Sequence, residues 1–471
     1  MAMGRQRERQ RPMWIATEQL PRTRGHAFYD AVNEILKAKG FDAFVEQEFR
    51  HFYKSETIGR PSIAPGVYVR MMMVGYFEGI ESERGIAWRC ADSLSLKHFL
   101  GFELSEATPD HSTMSRTRRL IDLETHARIF SWVLQVLAKH GLVGGKTIGV
   151  DATTLEANAA LRSIIRRDTG ESYNDFLTKL AKASGIETPT REDLAKLDRA
   201  RPKKGSNEEW VHPDDPDAKI TKMKDGSTHL AHKVEHAVDM ETGVVLGLTL
   251  QDANAGDTTT IEKTLIAAAE QMEQLMANPE TADTISAKPV SEVVTDKGYH
   301  SNEKLVDLEE LGIRTYLSEP KRGRRNWNGK AAERDAVYAN RRRIRGERGK
   351  RLLRQRGLML ERPFAHCYET GGMRRLHLRG RENILKRLLV HVAGFNLSLV
   401  LRLMIGNGTP RGLQDLATAY LIVIIALITD LEAVWDGGAG RRTFSEANCS
   451  YSELFRTGKL EARNLPSATG C

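Results

Sequence analysis

Two aspartates stand on apolar stretches with β-strand character. Asp151 lies in "TIGVDATTLEA", and Asp296 closes "SEVVTD", followed at once by Lys297, Gly298 and Tyr299. If the two strands are neighbours, the carboxylates approach within a few ångströms. Bare carboxylates that close repel, and one would take up a proton. A divalent cation removes the conflict, because Mg²⁺ prefers oxygen ligands, uses few protein carboxylates and completes its shell with water and substrate phosphate. Two such ions, about 3.5–4 Å apart, clamp the attacking and leaving oxygens of an in-line phosphoryl displacement. A third acid is usually wanted for the second ion. A metal ligand needs a rigid mount, which accounts for a carboxylate at a strand end. Gly298 would let the chain turn away and leave room for substrate. The competing reading is that Asp296 only caps the helix after its strand.

Charge distribution favours the phosphoryl reading. The 471-residue chain has a net charge of +8, yet 321–362 alone holds 16 Lys+Arg against 4 Asp+Glu, an excess of +12. Such a block is an electrostatic footprint for a polyanion, most simply nucleic acid, unless it is a solvated linker. Trp327, beside Arg324, Arg325 and Lys330, could stack on an unpaired base or anchor an interface. His300 could touch DNA or lie on the surface. His229, His232 and His236 tempt a metal reading, but on a strand residues 229 and 232 face opposite sides, so structural or DNA-facing roles are expected.

The elements that must position these residues follow from pattern. Residues 26–142 read as helical. "PGVYVRMMMVGYFEGI" (65–80) is apolar on most faces and should be buried. "TPDHSTMSRTRRLID" (108–122) opens with Asp110 or Ser112 as a cap and presents Ser115, Arg116, Arg118 and Arg119. Tight turns between short helices suit a helix-turn-helix reader of DNA; a plain helical dimerisation domain fits as well. After the strand at 147 come a polar insertion (about 158–228, with a helix near 172–184) and a β-hairpin, 228–239 and 243–253, around "METG". An amphipathic helix (257–277), the strand 291–296, a helix (302–311), the strand 313–318 and an apolar helix (382–404) come next. This order argues for a mixed sheet covered by helices, an α/β fold. The expected domains are a basic arm (1–25), a helical DNA-binding or dimerisation domain (26–142), a catalytic domain (143–410, basic segment 321–362) and a C-terminal helix and tail (411–471). The apolar run 416–428 is too short to span a bilayer and reads as a buried core or oligomer-contact helix. Cys90, Cys367, Cys449 and Cys471 form no C-x-x-C pair, which fits a reducing cytoplasm, and the Arg-rich N-terminus lacks a signal-peptide core.

"IGVDATTLEAN", "HLAHKVEHAVDMETGVVLGLTLQDANAGDTT", "VVTDKGYHS" and "LERPFAHCYETGGMRRLHLRG" resemble bacterial insertion-sequence transposases of the DDE class. "GRPSIAPGVYVRMMMVGYFEGIESERGIAWRCADSLSLKHFLGFELSEATPDHSTMSRTRR" resembles the helical domain that precedes the catalytic core in one branch of that class. The resemblance covers roughly 26–430. It implies an RNase H-like catalytic domain with a DDE triad on Asp151, Asp296 and Glu361, which would be the ligands of two Mg²⁺ ions, with Mn²⁺ as a substitute. Glu347, Glu369 and Glu382 compete for the third place. Relatives carry Tyr-x2-Arg-x3-Glu-x6-Lys around the last acid. Tyr338 and Arg341 match its first half, but their spacing to Glu361 is far too long. Counted from Glu361, Gly357 and Tyr368 stand where Arg and Lys belong, and Arg354, Arg356, Arg374 or Arg375 would replace those charges. Pro363 implies that a helix begins or kinks near Glu361.

The resemblance further implies double-stranded DNA as partner, both element ends and target, contacted by Arg116, Arg118, Arg119, Lys297, Arg341, Arg342, Arg343, Arg354, Arg356, Arg374 and Arg375. It implies cut-and-paste hydrolysis and strand transfer at terminal inverted repeats by at least a dimer, with no membrane, in the bacterial cytoplasm at the nucleoid. Two rivals remain: an RNase H-like nuclease that cuts without joining, and a repressor that has lost catalysis.

Overall fold

The computed structural model describes residues 26–53, 62–201, 205–223, 225–321, 323 and 325–412. The basic arm 1–25 and the apolar run 416–428 lie outside the described residues. Helices come first: α1 (Ala27–Ala38), α2 (Phe41–Phe49), α3 (Pro65–Glu78), α4 (Glu83–Asp92), α5 (Leu94–Leu100), α6 (His111–Leu120) and α7 (Leu123–Lys139). Pro65 opens α3, where its missing N–H costs nothing, and the helix is buried from Tyr68 to Phe77. Asp110 caps α6 by accepting from Thr113 N at 2.8 Å. The segment between α5 and α6 runs from Gly101 to Asp110, longer than the three or four residues of a helix-turn-helix turn.

The sheet begins with β1 (Thr147–Glu156). The insertion then adds β2 (Ile165–Arg166), α8 (Tyr173–Ala183), α9 (Arg191–Ala200), β3 (Trp210–Val211) and β4 (Lys219–Lys222). Next come β5 (Thr228–Asp239), β6 (Val245–Asp252), α10 (Asp257–Ala277), β7 (Glu292–Thr295), α11 (Asn302–Glu310) and β8 (Arg314–Leu317). Strand order is β4-β5-β1-β7-β8, with β6 also paired to β5. β1 runs antiparallel to β5 and parallel to β7, and β7 runs parallel to β8. The sheet is therefore mixed, and the insertion is not wholly separate, since β4 pairs with the start of β5.

Helices cover both faces. Gly247 on β6 lets α10 approach so closely that a Cβ there would stand 2.9 Å from Ala268 N. On the other face, a Cβ on Gly149 would meet Leu360 at 2.7 Å. Leu360 belongs to α13 (Glu347–Phe364), which comes after α12 (Ala331–Arg345). The basic segment is thus mainly two helices and not a linker. Their junction is tight: a Cβ on Gly349 would lie 2.1 Å from Arg343 O. Gly349→Ala should therefore cost about 1–3 kcal/mol by forcing the helices apart, read as a lower urea midpoint; an unchanged midpoint would show that the junction yields freely.

Of the two readings of Pro363, a helix start and a kink, the first is not found. The helix does not begin near Glu361; it starts at Glu347, and Pro363 lies near its end. Without an N–H, Pro363 cannot complete the helical ladder, and the chain continues as a π-helical turn, Ala365–Thr370. Last comes α14 (Arg381–Ile405), which packs on α3 and α7. The fully buried Arg387 donates to Met72 O at 2.8 Å. Asn396 brackets Val245, accepting from its N–H and donating to its carbonyl. The stretch Arg381–Gly412 is long and apolar enough to cross a bilayer, but 78% of its most apolar window is buried inside the protein, as in a core helix.

Candidate active site

Asp151 and Asp296 come from neighbouring parallel strands. Gly149 pairs with Val294 in the β1–β7 register, and each aspartate lies two residues further on. Asp151 lies within β1 and Asp296 directly after β7, both just past the last pair of that register, on strands that in a sheet run about 5 Å apart. Asp296 does act as a cap: its Oδ1 accepts from Gly298 N at 2.8 Å and opens a 3₁₀ turn, Lys297–Tyr299. Capping uses one oxygen, so the cap and a ligand role do not exclude one another. Gly298 leaves room for a carboxylate, since a Cβ there would lie 2.6 Å from Asp257 Oδ2 and 3.1 Å from Asp296 Oδ1.

Asp151 is a quarter exposed, and its Oδ2 accepts from Arg356 Nη1 at 3.2 Å. That guanidinium from α13 supplies the positive charge beside Asp151. Glu361 is exposed on the same helix. Met359 Sδ approaches Gly243 in the β5–β6 turn, at the opposite end of β1 from Asp151, while Leu360 covers Gly149. Residues two apart on a helix differ by about 200°, so Glu361 projects away from Met359, and a Cβ on Gly357 would lie 3.7 Å from Glu361 Oε1. Among the described residues no group of three or more His, Cys, Asp or Glu is assembled to hold a metal ion. The donor set nevertheless fits Mg²⁺, which is commonly held by one or two carboxylates, with water and phosphate completing its shell.

The cations named from sequence divide into two groups. Arg116, Arg119, Lys297, Arg342, Arg354 and Arg375 are exposed. Arg118 is 5% exposed and donates to Glu83 at 2.7 Å and to Asn383; its expected DNA contact is corrected, because its charge is spent inside the helical packing. Arg341 is bound to Glu319 by two hydrogen bonds, 2.7 and 2.8 Å, with its guanidinium over Tyr338. Arg343 donates to Thr315 O and Oγ1, both at 3.0 Å. Arg374 is held by Glu369, Thr153 and Thr154, and Arg356 by Asp151. These four are likewise engaged within the protein. The Arg325 guanidinium lies over Trp327, 5.5 Å from its ring centre.

Among the described residues the histidines belong to no group of three or more potential metal ligands. His232 and His236 share one face of β5 and are buried, the first against Asp215 (3.1 Å) and the second against Tyr368 Oη (2.6 Å). His300 is buried too, 3% exposed, so it is not a surface contact.

Sequence reasoning missed Lys233, Glu235 and Asp257. Glu235 is fully buried and Lys233 nearly so, in a charged network beneath the Asp296 turn. For Lys233 and Glu235, the signal that could have found them was a pair of opposite charges two residues apart, and so on one face, of the strand "HLAHKVEHAVD".

Residues 17–120 match the family model described as Transposase domain (DUF772), and residues 189–397 match the one described as Transposase DDE domain. The second match spans Asp296 and Glu361, whereas Asp151 precedes it. No curated protein matches the chain. With two transposase matches in succession, and aspartates on adjoining strands of a mixed sheet, the chain belongs to the insertion-sequence DDE transposases.

Proposed function

We propose that the protein binds the terminal inverted repeats of its element and carries out metal-dependent phosphodiester hydrolysis and strand transfer of the cut-and-paste type. The observation that carries this reading is the pair Asp151 and Asp296 on adjoining strands just past the β1–β7 pairing, with Arg356 of the cationic helix α13 against Asp151. We infer an RNase H-like sheet from the order β6-β5-β1-β7-β8, in which an antiparallel hairpin precedes two parallel strands.

Asp151 and Asp296 would hold the divalent cation, with Glu361 as the third acid from α13. When bound, the metal lowers the pKa of the attacking water or hydroxyl and offsets charge on the phosphate. Water attacks the phosphodiester at the element end and frees a 3′-hydroxyl, which then attacks target DNA at the same site. No Ser or Tyr nucleophile is required. Arg356 would leave Asp151 for a phosphate oxygen as DNA enters, since a guanidinium pairs well with either anion. Joining two ends calls for at least a dimer, working at the bacterial nucleoid.

Exposed cations would hold the DNA backbone. Each lost phosphate contact should lower the slope of log K against log salt by roughly 1. Arg342→Ala combined with Arg354→Ala should therefore flatten the salt dependence of the Kd for end DNA. An unchanged slope would remove this face of α12 and α13 from the interface.

The test of the function is strand cleavage on DNA spanning the gene's own flanks, with Mg²⁺ or Mn²⁺. Metal-dependent nicking at the repeat ends, and then joining, is the expected result. Nicking without joining would favour the nuclease. Binding without nicking would favour the repressor.

A further inference from the structure

The turn that carries Asp296 is clamped from beneath by buried charges that take no direct part in phosphoryl transfer. Lys233 and Glu235 are alternate residues of β5 and therefore face the same side, toward α10. Glu235 accepts from Tyr299 Oη at 2.7 Å, from Thr260 Oγ1 at 2.8 Å and from Thr264 Oγ1. Lys233 Nζ lies 3.8 Å from Glu235 and donates to Asp257 Oδ1 at 2.6 Å and Thr260 Oγ1 at 3.0 Å. Two partners of this network grip the turn. Tyr299 ends it, three residues after Asp296. Asp257 presses its second oxygen against Gly298, where no Cβ stands in the way.

Burying a lysine and a glutamate in the middle of a sheet is expensive, and apolar residues of similar volume usually stabilise as well or better. What charges with several fixed partners provide instead is direction. A short 3₁₀ turn has few hydrogen bonds of its own, here Gly298 N to Asp296 Oδ1 and His300 N to Lys297 O, and cannot by itself hold a carboxylate in one orientation.

We propose that Glu235 and Lys233 are positioning residues for Asp296, acting through Tyr299 and Asp257 to fix the turn that presents its carboxylate to the divalent cation. The proposal rests on the reading of Asp296 as a site carboxylate.

The test uses the full chain without DNA, titrated with Mn²⁺ and monitored by electron paramagnetic resonance, alongside cleavage of end DNA. Tyr299→Phe removes one hydroxyl and keeps the ring. It should weaken Mn²⁺ binding about tenfold, the usual scale for losing an outer-shell partner. The cleavage rate should fall in parallel, be restored in part by excess Mn²⁺, and leave the Kd for DNA unchanged. Wild-type Mn²⁺ affinity and rate in Tyr299→Phe would overturn the proposal. So would a loss of DNA binding in proportion to the loss of rate, which a merely structural role would give. If Tyr299→Phe does not fold, Thr264→Val removes a different Glu235 donor and is read the same way. Asp296→Asn is the reference: full Mn²⁺ affinity there would overturn the site reading itself, whereas its loss beside an unaffected Tyr299→Phe would overturn only the clamp.

Discussion

Asp296→Asn should give a folded protein that binds end DNA and cuts it on the order of 10²–10³-fold more slowly. The amide keeps an oxygen that can accept from Gly298 N, so the 3₁₀ turn survives. The negative charge that would hold a divalent cation is lost. Removing one group that stabilises a phosphoryl-transfer transition state should cost on the order of 10²–10³-fold in rate, about 3–4 kcal/mol of barrier. The measurement is single-turnover cleavage with Mg²⁺ and with Mn²⁺, beside the thermal midpoint and the Kd for DNA. Cleavage at the wild-type rate would end the two-aspartate reading. Asp151→Asn should be as damaging to cleavage, but it also takes the charged partner from Arg356. For that reason Asp296 is the cleaner probe.

The fold should fail in mild acid, and the reason lies away from the site. His126, His236 and His391 are fully buried. Desolvation pushes them down to about 4, about 3 and about 3. Each is built in as a neutral ring. His126 Nδ1 donates to Asp122 O at 2.7 Å, leaving Nε2 to accept from Tyr68 Oη at 3.0 Å. His391 Nε2 donates to Cys367 O at 2.8 Å. In the unfolded chain each imidazole titrates near 6.5. The folded values are lower, so below about pH 6.5 the unfolded state binds more protons. The contribution is complete above that pH and is lost as pH falls toward the folded values. Three such groups give a slope of about 4 kcal/mol per pH unit between roughly pH 6 and 4. Urea midpoints at pH 7 and pH 5 check this. Equal midpoints would mean that the rings already carry protons in the folded protein.

The sequence by itself determined where the main sheet strands and several of their covering helices form, because periodicity and caps are local; α12, α13 and the short strands of the insertion were not legible in it. The helix expected over 257–277 is α10, Asp257–Ala277, and the hairpin around "METG" is β5 and β6. The two aspartates were legible for the same reason: a carboxylate in "IGVDATT" or at the end of "SEVVTD" interrupts an apolar run, and such an interruption shows in one dimension. What only the tertiary structure decided is which charges meet. Arg341, Arg342 and Arg343 are adjacent and identical in type, yet Glu319 takes the first, Thr315 the third, and the second is exposed. Arg118 and Arg119 divide in the same way between Glu83 and the surface. Pairing and burial are set by residues tens to hundreds of positions away, brought close by packing. No local pattern contains that distance, which is also why the clamp of Lys233, Glu235 and Tyr299 beneath Asp296 emerged only when the chain was folded.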